Sequence, residues 1–150
     1  MHVLVVTEES PLVHALTEAL TPLGALVGTA ADGLSALYAL SAPDGELPDA
    51  VVLDLRVGGV SGDRLYELLR RDPLTRDIPV VALSSETVHS HAWRERGVPP
   101  PETFHHVSVD ARDVAHDLLR LAAVPAAPAA HAAAGEVVFP ESIKVVVPAA

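Results

Sequence analysis

Residues 47–55, Leu47-Pro48-Asp49-Ala50-Val51-Val52-Leu53-Asp54-Leu55, decide the fold. Ala50-Val51-Val52-Leu53 is a short apolar run, β-branched at its centre, with no polar residue at alternate positions. That is the pattern of a strand covered on both faces, as in a parallel sheet packed between helices. A loop rich in turn formers, Ser41 to Asp49, precedes it. A carboxylate, Asp54, ends it.

Outward from this strand the same alternation repeats. Val3-Leu4-Val5-Val6 and Ile78-Pro79-Val80-Val81-Ala82-Leu83 read as further buried strands, and Ala25-Leu26-Val27 and Phe104 to Val107 as weaker ones. Between them come segments of helical period. Ser10 offers an N-cap and Pro11 a first helical residue, with Val13, Leu16, Leu20 and Leu23 at helical spacing and Pro22 and Gly24 ending the helix. Asp32 caps a second helix with an apolar side of Leu34, Leu37 and Tyr38. After the turn at Gly58 and Gly59, Leu65, Leu68 and Leu69 define a third, closed by Asp72-Pro73. Residues 85–96 are polar and weakly helical, Pro99-Pro100-Pro101 forces an extended loop, and Val114, Leu118, Leu121 and Ala122 mark a last amphipathic helix. Alternating strands and helices with right-handed crossovers predict an α/β fold, a doubly wound five-stranded parallel sheet with helices on both faces.

Composition agrees with one such domain and excludes other classes. The 150 residues are 49% hydrophobic, enough for a sizeable core. There is no cysteine, which removes disulfides, thiolate metal sites and a catalytic thiol. No apolar run approaches the ~20 residues of a spanning helix, and Met1-His2-Val3 enters a strand without a signal-like start. A cytoplasmic protein with no membrane partner is the expectation. Ten basic against twenty acidic residues give a formal charge of −10, which repels nucleic acid. Arg64, Arg70, Arg71 and Arg76 are expected on a solvated helix face. From Val124 the chain turns to alanine and proline, reading as a linker, and the Val-rich end could pair as strands or stay a free tail.

In open α/β sheets, ligands sit beyond the carboxyl ends of the strands. The residues there are Thr7-Glu8-Glu9 after the first strand, Asp54 after the third and Ser84-Ser85 after the fourth. For the order 2-1-3-4-5, strands one and three are neighbours, so Glu8 or Glu9 approaches Asp54. Converging carboxylates repel, and a hard divalent cation such as Mg²⁺ resolves the conflict. A carboxylate beside Mg²⁺ can act as nucleophile toward a phosphoryl group. The backbone carbonyl of Arg56 is a candidate ligand, whatever its side chain, and the Ser84 hydroxyl can donate to a phosphoryl oxygen. The histidines His89, His91, His105 and His106 match no ligand spacing and are expected on the surface, whereas Tyr66 and Trp93 are expected to pack in the core.

Residues 47–55, together with Arg71-Asp72-Pro73-Leu74-Thr75-Arg76-Asp77-Ile78-Pro79-Val80-Val81-Ala82-Leu83-Ser84 and Ala31-Asp32-Gly33, resemble the receiver domain of bacterial two-component response regulators. The similarity runs from Val3 to about Ala123. It implies the flavodoxin-like order 2-1-3-4-5, a receiver-like domain over residues 1–123, and residues 124–150 as linker and tail. By position it makes Asp54 the phospho-acceptor, Glu8 a metal-binding acid with Glu9 as a further candidate, Ser84 the hydroxyl that tracks the phosphoryl group, and Phe104 the aromatic switch. The implied partner is a histidine kinase or histidine phosphotransfer protein. Output would pass through a homodimer or a downstream protein, because no DNA-binding or enzymatic domain fits in the remaining residues. The chain is thus expected to be a stand-alone signalling module and not an enzyme.

Departures from the family pattern accompany the likeness. Thr7 stands where the first of two acids is usual, and Val57-Gly58 and Ser61-Gly62 replace most of the loop after Asp54. Val107 occupies the position of the family's lysine, next to His106, which reaches the site only with a one-residue register shift. Loss of one charge-assisted contact, ~1.5–3 kcal/mol, predicts phosphorylation roughly tenfold to hundredfold slower. The competing expectation is a pseudo-receiver, a phosphorylation-independent interaction or dimerisation module. A flavin site is disfavoured, since Thr7-Glu8-Glu9-Ser10 is acidic, lacks glycine, and would repel a cofactor phosphate.

Overall fold

A computed structural model describes residues 1–41, 45–85 and 90–123 of the chain. The expected linker and tail over 124–150, part of the loop before Asp49, and His89 lie outside the described residues. Among the described residues five strands, β1 (His2–Val6), β2 (Leu26–Ala30), β3 (Ala50–Asp54), β4 (Val80–Ser84) and β5 (Thr103–His106), alternate with five α-helices, and a 3-10 turn over Thr21–Leu23 follows the first of these. The α-helices are α1 (Ser10–Leu20), α2 (Gly33–Ser41), α3 (Gly62–Arg71), α4 (Ser90–Glu95) and α5 (Ala111–Ala123). All strand pairings are parallel and the order is β2-β1-β3-β4-β5, the doubly wound arrangement expected from the alternation.

The period-2 alternation of side chains splits the apolar strands between two cores. Val51 and Leu53 of β3, with Leu4, Val6 and Val80, pack against Ala36 of α2, Leu65, Tyr66 and Leu69 of α3, and Trp93 of α4. Ala50 and Val52, with Val3, Val5, Val81 and Leu83, pack against Leu16 and Leu20 of α1 and Val114 and Leu118 of α5. Every residue of β3 and β4 is buried. Each large side chain so enclosed contributes ~1.5–3 kcal/mol from area alone. Tyr66 and Trp93 take the expected core positions, ring edge to ring face at 4.7 Å.

Several sequence expectations are corrected. α1 begins at Ser10 itself and Glu9 is its N-cap, without a side-chain capping bond. β2 runs to Ala30, beyond the three residues expected, because register with all of β1 extends Leu26-Val27-Gly28-Thr29-Ala30 past its weak local propensity. In α2, Leu34 and Tyr38 are exposed, as is Leu23 after α1. Gly33 fixes the rotation of α2: a Cβ there would lie 1.9 Å from the Val60 carbonyl oxygen, so the helix turns Gly33, Ala36, Leu37 and Leu40 inward instead. Arg70 is not on a solvated face. It is buried beneath β4, donating to the Tyr66 hydroxyl at 2.9 Å, to the Arg76 and Ile78 carbonyls at 2.9 and 2.7 Å, and to Glu102. Among the described residues no helix is long and apolar enough to cross a membrane.

Candidate functional site

Parallel strands deliver their carboxyl ends to one rim. β1 runs out into Thr7-Glu8-Glu9 and β3 into Asp54-Leu55-Arg56, and pairing of Val6 with Leu53 sets the two exits side by side. A crevice of ≈ 230 Å³ opens between them, lined by Glu8, Glu9, Asp54, Arg56 and Val57. The approach of Glu8, Glu9 and Asp54 expected from strand order is therefore found. Glu8 and Glu9 are exposed, whereas Asp54 is only 2% exposed.

Asp54 is held from both sides. The buried Thr7 hydroxyl donates to Oδ2 at 2.9 Å, while the Thr7 oxygen accepts from the Glu9 N–H at 3.0 Å. From the other side Arg56 donates three times: its backbone N–H to Oδ1 at 2.9 Å, Nε to Oδ1 at 3.0 Å and Nη2 to Oδ2 at 2.8 Å. The guanidinium thus grips both carboxylate oxygens, the two-point geometry that makes arginine–carboxylate pairs strong, and its Nη2 also lies 3.7 Å from Glu9 Oε1. Burial pushes the Asp54 carboxyl up, but the Arg56 side chain, the Arg56 N–H and the Thr7 hydroxyl outweigh it and leave the group below the usual aspartate range. The partnership with Asp54 in turn raises Arg56.

This geometry bears directly on a divalent cation. An ionised carboxylate offers about four lone-pair sites, and Thr7 Oγ1 with Arg56 N, Nε and Nη2 takes as many. With a hydroxyl at position 7 and Asp54 committed to a guanidinium, the residues as arranged do not fit Mg²⁺. Among the described residues no group of three or more histidines or acids could hold a metal ion. Sequence reasoning considered only the backbone carbonyl of Arg56 as a ligand; its side chain, which lines the crevice and holds Asp54, is an addition from the structure.

The remaining predicted residues lie on the same sheet, outside the crevice lining. Ser84 ends β4, buried, its carbonyl accepting from the Val107 N–H at 3.0 Å. Phe104, in register with Ala82, is half-buried against the core on the α3 side. Val107 packs against the α1–α5 core and lines a second cavity of ≈ 390 Å³ with Glu9, Arg56 and Ser108. His106 is exposed and pairs with Ser108, which keeps it out of the Asp54 crevice. His105 is half-buried against Asp117 of α5.

Comparisons with known proteins agree with this architecture. Residues 3–95 match the family model described as response regulator receiver domain. Over 83 residues the chain is 37% identical to the phosphate regulon transcriptional regulatory protein PhoB of Klebsiella pneumoniae, covering 55% of this chain and 35% of that protein. Over 83 residues it is 40% identical to the response regulator PleD of Caulobacter vibrioides, covering 55% of this chain and 18% of that protein. The matched segment thus spans about a third of PhoB and under a fifth of PleD. Among solved structures, the signal receiver domain of a signal transduction histidine kinase from Syntrophus aciditrophicus superimposes with a TM-score of 0.70 at 20% identity, covering 85% of this chain and 93% of that one.

Proposed function

Because the chain belongs to the response regulator receiver domain family, we propose that Asp54 accepts a phosphoryl group from a phosphohistidine and that the modified domain signals by protein contact. A carboxylate oxygen of Asp54 attacks phosphorus, the new O–P bond forms as the P–N bond breaks, and the donor imidazole leaves with the electron pair. The observation that carries this is the placement of Asp54: the buried acid at the carboxyl end of the central strand, opening on a crevice large enough for a phosphoryl group. Ser84 ends the neighbouring strand and is the hydroxyl assigned to a phosphoryl oxygen, with Phe104 on β5 as the side chain that follows it. Receiver domains generally bind Mg²⁺ at the phosphorylation site; here Glu8, Glu9, Asp54 and the Arg56 carbonyl are the groups available, and the grip of Arg56 on Asp54 opposes it.

The donor is a histidine kinase or phosphotransfer protein. The receiver of output is a second copy or a downstream protein, and nucleic acid is disfavoured by the acidic balance. Response regulators are generally cytoplasmic, and this one is assigned there. Residues 1–123 form the signalling unit, with 124–150 as a linker and tail.

A second reading, a pseudo-receiver that binds partners without phosphorylation, is favoured by the Arg56 grip and by Val107, whose apolar side chain offers no charge to a phosphoryl dianion. Acetyl phosphate with intact mass measurement separates the two. Wild type is expected to gain one hydroxylamine-labile phosphoryl group and Asp54→Asn none; a wild type that gains nothing, with and without Mg²⁺, leaves the pseudo-receiver.

A further inference from the structure

We infer that Arg56 is the resident cation of the crevice, its guanidinium occupying the carboxylate that a divalent ion would need and so keeping Mg²⁺ or Mn²⁺ away from Asp54. The inference deepens the assignment of Asp54 as the acceptor and rests on it.

Three observations converge. The Arg56 backbone N–H at 2.9 Å fixes the Asp54 carboxylate so that its two oxygens face the same residue's Nε and Nη2. Thr7 supplies a fourth donor to the carboxylate where a competing metal would want another anion. Glu9, one of the two acids left for a metal, lies within 3.7 Å of the same guanidinium, so the cation bridges the crevice as an ion would.

Competition favours the arginine on general grounds. Arg56 is tethered two residues from Asp54, so its local concentration is high and constant. Mg²⁺ demands near-octahedral oxygen ligands and gives up its water reluctantly. A guanidinium is weakly hydrated and matches a carboxylate with two parallel bonds. Arg56 also lines the ≈ 390 Å³ cavity beside Val107 and Ser108, so its partly exposed side chain has open space on the side away from Asp54.

The test is Mn²⁺ titration followed by the electron paramagnetic resonance of the free ion, on the full chain and without any phosphodonor. Arg56→Gln is expected to bind Mn²⁺ at least about tenfold more tightly than wild type, since a grip made of charge-assisted hydrogen bonds has been removed. Arg56→Lys is expected to fall between them, a lysine lacking the fork that holds both oxygens. The Asp54→Asn/Arg56→Gln double variant loses the gain. Equal affinity in wild type and Arg56→Gln, no detectable binding by either, or a gain that survives in the double variant overturns the inference. Should Arg56→Gln lose the wild-type unfolding midpoint, the comparison passes to Arg56→Lys, where equality with wild type is the overturning result. Failure of Asp54 to take up phosphate leaves this readout untouched, so the two assignments fail separately.

Discussion

Asp54 combines near-complete burial with a carboxyl held below its usual range, and the two facts together define how acid acts on this protein. Burial alone would raise the group; the Arg56 side chain, its N–H and the Thr7 hydroxyl reverse the sign. A depressed folded value means that ionised Asp54 contributes stability above the unfolded value of about 3.9, and that this contribution is lost as pH falls through the lower folded value. Urea unfolding of wild type and Asp54→Asn between pH 7 and pH 3 is therefore expected to show a stability difference that is flat near neutrality and shrinks below about pH 4. A difference independent of pH would contradict the assigned partners. Much of this site was legible beforehand, because Glu8, Glu9 and Asp54 follow strands whose buried pattern fixes where they end. Arg56 was not. Sequence position assigns it a backbone role, while its side-chain geometry depends on the turn after β3, and nothing in local composition encodes that turn.

At the scale of elements, β3, β4 and α3 follow from composition because burial on both faces, or on one stripe, leaves few alternatives. The weaker parts were set by neighbours. β2 takes its length from pairing with β1, and the exposed Leu34 and Tyr38 show that α2 takes its rotation from a glycine contact instead of its most apolar stripe. Arg70 was misplaced for a related reason, since a basic residue near a helix end looks solvated until the carbonyls of Arg76 and Ile78 are brought over it. A second close approach positions the site itself. At Gly62, the first residue of α3, a Cβ would stand 2.4 Å from Leu55 Cα and 2.8 Å from its carbonyl. Leu55 directly follows Asp54, the last residue of β3, so α3 is seated on the chain as it leaves that carboxylate. Gly62→Ala is expected to lose about 1–3 kcal/mol to this overlap despite alanine's better helix propensity. Gly28→Ala, whose nearest obstacle is the movable His2 ring at 3.3 Å, is expected to lose less. Urea midpoints of the two variants make the comparison.

For the whole molecule, among the described residues the two apolar layers that flank the sheet are built from residues between Met1 and Leu121. Residues 1–123 are expected to fold alone, with an unfolding free energy within about 0.5 kcal/mol of the full chain, the range of changes away from packed features. A larger loss on truncation, measured by urea unfolding, would show that 124–150 packs on the domain.

The sheet also separates two kinds of polar clusters. At the carboxyl ends of the strands sit Thr7, Asp54 and Arg56; at the amino ends, Arg70 clamps Ile78 and Glu102, and Glu102 accepts from the Val80 N–H. A five-residue strand holds them roughly 17 Å apart, beyond the distance over which substitutions usually couple. The end of the sheet that carries Asp54 is therefore energetically separate from the end at which Arg70 holds the scaffold together.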